Sequence, residues 1–177
     1  IVWAELQLMP VANAYMLVEE QRFTGLERFW ELNGAAERDM PYTVAWIDCL
    51  ARQPRGIFSS ACHAPPQQAL PLYRHAHRCM SVTPPVSLVN GPSLRAFNAL
   101  YYHRPLPASP SLRHHGSFFY PLDGVRDWNR IYGRHGFYQY QCVLPPASSH
   151  DGIAAILARI AASGQGSFLA VLKTFGA

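Results

Sequence analysis

Gln139 and Gln141 are the residues whose type and spacing most suggest chemistry. In segment 137–144, strict alternation puts Phe137, Gln139, Gln141 and Val143 on one face and Tyr138, Tyr140, Cys142 and Leu144 on the other. A primary amide both donates and accepts hydrogen bonds, so two in a row suit the hydroxyls of a sugar or polyol. Trp46 and Asp48 share a face of segment 42–51 in the same way, and Lys173 shares one with Ser167, Leu169 and Val171. Aligned in one sheet, these faces would offer an aromatic wall, two amides and an ammonium able to neutralise an oxyanion or phosphate. The plainer alternative has the glutamines on a solvated strand face, Trp46 in the core and Lys173 as a strand-end charge in water.

Positioning such groups requires strands, and the alternation predicts them over 1–9, 14–20, 42–51, 57–63, 137–144 and 167–173. A helix is expected over 24–33, with Thr24 as its cap, Leu26, Phe29 and Trp30 on one face and Gly34 as its stop. A second is expected near 93–102 and a short one near 126–131. The clearest runs from Ser149 to Gly164, with Ile153, Ile156, Leu157 and Ile160 at helical spacing. The pattern implies an α+β fold, a mainly antiparallel sheet with helices packed on one face. The other sheet face must then meet water, a lid or another domain. Residues 65–110 are proline-rich and weakly periodic, which marks a long functional loop and predicts a mobile lid.

Composition narrows the class. Hydrophobic residues make up 49% and charged residues 15%, which excludes a disordered tail. The formal charge of +4 is spread over arginines with no dense basic run, so nucleic acid is not an expected partner. No apolar run approaches the roughly 18 residues of a membrane span. The 4 cysteines, at 49, 62, 79 and 142, form no Cys-x-x-Cys pair and read as free, mostly buried thiols. His75, His77, His103, His114 and His115 cluster in or near the proline-rich stretch, but no third ligand is placed by spacing and no metal is expected. No glycine-rich phosphate loop, Ser-His-Asp order or His-Glu-x-x-His occurs.

One long motif is more specific. Residues 116–146 read PLD-x4-WNR-x-YG-x2-GF-x-QYQ-x-V-x-P, joined by TVAWIDCLA at 43–51 and ASGQGSFLAVLKTFG at 162–176. This pattern resembles the substrate domain of FAD-linked oxidases of the vanillyl-alcohol-oxidase superfamily. The resemblance implies that residues 1–177 are the substrate-binding (cap) part of a longer polypeptide. The FAD-binding domain and a C-terminal remainder would lie outside it. It implies an FAD-dependent oxidoreductase that moves a hydride from a carbinol of a sugar or polyprenyl-linked sugar to flavin. By position it makes Trp46, Phe119, Tyr120, Gln139, Gln141 and Lys173 the substrate-site residues, with Lys173 also catalytic. Phe119 and Tyr120 stand where a related oxidase carries a tyrosine and a histidine. The expected partners are the substrate and the protein's own FAD-binding domain, and the expected location is the cytoplasm or the membrane surface. The chain alone is expected to be inactive. An aldonolactone or small-alcohol flavin oxidase, or a non-catalytic ligand-binding or dimerisation module, remain the alternatives.

Overall fold

A computed structural model describes residues 2–66, 70, 71, 73, 78–108 and 110–175. Among them, five strands form one antiparallel sheet: β1 (Tyr15–Thr24), β2 (Tyr42–Asp48), β3 (Arg55–His63), β5 (Ser111–His114) and β7 (Val171–Leu172), in the order β5-β1-β3-β2-β7. A parallel two-stranded ladder, β4 (Arg78–Cys79) with β6 (Val125–Arg126), stands apart. The helices are α1 (Leu26–Ala36), α2 (Gly91–His103), α3 (His115–Phe119) and α4 (Pro146–Ser163). The architecture is α+β, as the alternation and helical periodicity require.

The register explains the core. Phe23 pairs with Gly56, and Gly56 with Ile47, while Phe58 pairs with Ala45. All five therefore point to one face. There they meet Phe29 and Leu32 of α1 and Leu157 of α4 in one buried cluster. Gly56 is required by packing: a Cβ there would stand 2.6 Å from the Phe23 ring and 2.1 Å from the Trp46 carbonyl oxygen. The Phe23, Phe29 and Phe58 rings are each at most 3% exposed, and each such burial contributes about 2–3 kcal/mol. The opposite face carries Met16, Val18 and Ala61 as a second buried cluster with Tyr42 and Phe118 beside it.

Helix ends depart from the sequence expectations in instructive ways. Thr24 ends β1 instead of capping α1; Gly25, at φ 84°, turns the chain into the helix without a side-chain cap. Gly34 does not stop α1, which continues to Ala36. α2 starts at a reciprocal cap, in which Asn90 Oδ1 accepts from the Ser93 N–H at 3.1 Å and Ser93 Oγ from the Asn90 N–H at 3.0 Å. α4 begins at Pro146, because proline fits a first helical turn, and Ser149 instead back-bonds to the Pro146 carbonyl. Gly164, at φ 68°, ends it as expected.

Three strand expectations are corrected. Residues 1–9 carry no strand among those described, and Val2, Trp3, Leu6 and Leu8 are exposed. Residues 137–144 form no strand, with Tyr138 and Tyr140 fully or largely in water. In 167–173 only Val171–Leu172 pair. Alternation marks a chain able to lie in a sheet; pairing also needs an open edge within reach. Residues 117–120 fall largely within α3, and the short helix near 126–131 is a pair of 3₁₀ turns over Trp128–His135 that meet at Gly133. The cysteines are free, yet only Cys49 is buried; Cys79 and Cys142 are exposed.

Candidate functional site

The second sheet face is built from alternate residues of neighbouring strands. Tyr42, Val44, Trp46 and Asp48 of β2 lie beside Ala61, Ser59, Ile57 and Arg55 of β3, followed by Val18, Glu20 and Arg22 of β1. This face is covered, and its cover comes from the proline-rich stretch. α2 docks on it through polar contacts. Asn98, wholly buried, donates from Nδ2 to Asp48 Oδ1 at 2.9 Å, while Arg55 holds Asp48 Oδ2 at 2.9 Å. Arg22 donates to the Tyr102 and Arg104 carbonyls at the helix C-terminus. The Arg55 guanidinium lies 4.6 Å from the Tyr102 ring centroid.

Glu20 anchors the adjoining corner. Its carboxylate, 4% exposed, receives Arg113 at 2.6 Å and Arg104 at 2.7 Å. Burial opposes its ionisation, but the hydrogen bonds and charges of Arg113 and Arg104 outweigh it and hold the carboxyl below its ordinary range. Buried Cys49 accepts a hydrogen bond from the Ser167 N–H and donates to the Ser167 carbonyl; burial pushes its thiol up.

The expected site residues are distributed as follows. Trp46 is 8% exposed; its indole N–H donates to the Phe168 carbonyl at 2.8 Å and its ring meets Tyr101 at 4.7 Å. Phe119 ends α3 and sets its edge against Tyr42 at 5.1 Å, with Tyr120 exposed beside it. Lys173 is exposed, two residues beyond Val171, which pairs with Trp46. Gln139 and Gln141 stand exposed in segment 137–144, outside any strand. The sheet thus brings the Trp46 and Tyr42 neighbourhoods onto one face; Lys173 follows β7, the strand paired with β2, and the glutamines are not placed in the same sheet. His75 and His77 lie outside the described residues. No group of three or more potential metal ligands occurs among the described residues.

Several residues of this face escaped the sequence reading. The Tyr42 hydroxyl is 3.2 Å from His63 Nε2, and His63 Nδ1 is buried without a hydrogen-bond partner among the described residues. Asn98 Oδ1 and Arg104 Nε share that condition. Asn98 had a usable signal: it follows Leu94 by four, on the helix face that Tyr101 continues.

A row of rings connects this face to the long motif. Trp46 meets Tyr101, Tyr101 meets Phe97 at 5.8 Å, Phe97 meets Phe168 at 5.6 Å and Phe168 meets Tyr132 at 5.9 Å. Tyr132 stacks on Phe137 at 4.5 Å, and Phe137 touches Trp128 at 5.4 Å. Burial raises the Tyr132 phenol above its ordinary value. A cavity of about 330 Å³ between α1 and α4 is lined by the stacked Trp30–His150 pair among others. Of the expected site residues, none lines it.

A flavin is implied by the motif, and the described residues do not form a cradle for it by themselves. The Trp46 ring and N–H are already committed, and the glutamines and Lys173 stand outward on separate segments. Among the described residues, no helix is long and apolar enough to cross a membrane.

No protein-family model matches the chain. The chain spans 41% of the length of a curated relative that it matches. Over 188 aligned residues covering 99% of its own length, it is 27% identical to, and so resembles part of, the decaprenylphosphoryl-beta-D-ribose oxidase of Mycolicibacterium smegmatis.

Proposed function

We propose that this chain is the substrate-binding part of an FAD-dependent oxidoreductase that oxidises a carbinol of a sugar or polyprenyl-linked sugar. The observation that carries the proposal is the similarity to an oxidase over 99% of the chain. FAD is held mainly by other segments of the full-length protein and supplies the hydride acceptor when bound. Residues of this chain bind and orient. Trp46 walls the substrate site, Phe119 and Tyr120 border it, and Gln139 and Gln141 hydrogen-bond its hydroxyls. Lys173 neutralises developing or resident negative charge. The row of rings from Trp46 to Phe137 supports this assignment, because it ends two residues from Gln139. The test is the cofactor content of the purified full-length protein. A stoichiometric flavin is expected, and its absence from folded protein would overturn the proposal.

A further inference from the structure

The middle of the second sheet face is left partly open between α2 and α3. Val44 of β2 and its partner Ser59 of β3 lie there, both part-exposed. At one end stand Tyr42 and Phe119, with ring centroids 5.1 Å apart. At the other stand Trp46 and Tyr101, at 4.7 Å. Tyr42 and Trp46 share one face of β2, about 13 Å apart along the strand. Beside Ser59 the row continues to Glu20, which Arg104 and Arg113 hold. No carboxylate of this face is free: Glu20 is paired with those arginines, and Asp48 with Arg55 and Asn98. The strip has aromatic ends and an uncharged floor, which suits a neutral ring that carries hydroxyls.

Two hydroxyls belong to this strip. Ser59 Oγ makes no hydrogen bond among the described residues, and the strand register turns it to the same side as Val44. Tyr42 Oη lies 3.2 Å from His63 Nε2. His63 Nδ1 is buried with no hydrogen-bond partner among the described residues. A buried N–H tolerates the lack of a partner less well than a buried lone pair does. The ring therefore favours its proton on Nε2, where it donates to Tyr42 Oη. The Tyr42 O–H is then turned away from His63 and left to donate elsewhere. Phe119, beside it, has no polar atom to offer.

We infer that Tyr42 and Ser59 are further binding residues of the substrate site, and that His63 is the positioning residue that aims the Tyr42 O–H. The ligand is a polyhydroxylated ring lying across Val44, between Phe119 and Trp46. Tyr42 donates to one ring hydroxyl and Ser59 to another. This rests on the proposed function and deepens it, by naming the groups that select hydroxyls.

Titration calorimetry of the full-length protein tests it, with ribosyl farnesyl phosphate and its singly deoxygenated ribosyl analogues as probes. Tyr42→Phe should weaken the parent ligand by about tenfold and Ser59→Ala by about threefold or more, through one lost hydrogen bond each. Each loss should vanish with one analogue, the one lacking the hydroxyl that residue holds. His63→Phe should weaken the parent ligand yet add nothing to Tyr42→Phe, because it acts only through that hydroxyl. Wild-type protein that binds none of the probes would overturn the inference, as would variants that bind the parent ligand like wild type. A loss equal for every analogue would also overturn it, since that marks general damage and not a lost hydroxyl contact. The proposed function is read separately, from flavin content. A flavin-loaded protein indifferent to Tyr42 sinks this inference alone; a flavin-free protein that keeps the selectivity sinks that function alone.

Discussion

Asn98 and Asp48, fifty positions apart, meet at 2.9 Å and fasten the proline-rich stretch to the end of β2. Asn98 is fully enclosed and Asp48 is 4% exposed. The same carboxylate accepts from Arg55 and from the Leu50 N–H. One aspartate thus organises the end of β2, the turn after it and the helix above it.

Asn98→Ala should lower stability by about 2–3 kcal/mol, combining a lost charge-assisted hydrogen bond with a cavity in a closed site. Denaturant melts of wild type and variant measure this. Hydrogen exchange should also rise in α2 before it rises in β3, because the helix loses its central attachment.

Glu20 gives the molecule a pH dependence with a defined sign. Its folded pKa lies below the ordinary 4.5, so its ion pairs contribute fully above the unfolded value. That contribution is lost as pH falls through the unfolded value towards the folded one. Glu20→Gln should cost about 2 kcal/mol at neutral pH, discounted for the partial exposure of both arginines. The gap between the two proteins should narrow in melts taken at progressively more acid pH; a constant gap would mean the ion pairs carry no net stability.

Gly133→Ala should destabilise by at least about 1 kcal/mol, since φ 72° disfavours a side chain and the new Cβ would press on backbone at 3.0–3.1 Å. Faster exchange at the 84–88 backbone is the local readout. An unchanged melt with unchanged exchange would show that Gly133 does not pack on the 84–87 backbone.

Much of the scaffold was legible in the sequence. β1, β2 and β3 turn one face to the apolar sides of α1 and α4, while α2 covers part of the other, which the expected one-sided layer did not include; α4 shows its spacing and its Gly164 stop. Segments 1–9 and 137–144 alternate just as well, yet remain unpaired. Period-2 patterning reports which side chains could share a face, whereas pairing depends on which sheet edge is open, a non-local property. The Asp48–Asn98 and Glu20–Arg104 links were illegible for the same reason: a polar residue in a strand looks solvated until the helix that covers it is placed. Trp46 was read as an aromatic residue on a strand face; its burial, with the ring against Tyr101 and the N–H on the Phe168 carbonyl, was not legible.

Lys173→Ala in the full-length protein should reduce kcat/KM by more than about tenfold, roughly 1.4 kcal/mol of transition-state stabilisation. The side chain is exposed, so the melting temperature should barely move. Steady-state kinetics paired with a thermal melt separate the outcomes. Unchanged kinetics would return Lys173 to a solvated charge, and a large stability loss with proportionate activity loss would make it structural.

The central claim is tested most directly by anaerobic mixing of the full-length protein with a polyprenyl-phosphate-linked sugar while the flavin's visible absorbance is followed. The account predicts that the oxidised flavin band bleaches in a single turnover, and more slowly in Trp46→Ala and Lys173→Ala proteins that retain the same flavin content. A flavin that stays oxidised with lipid-linked and free carbinol sugars alike would contradict it.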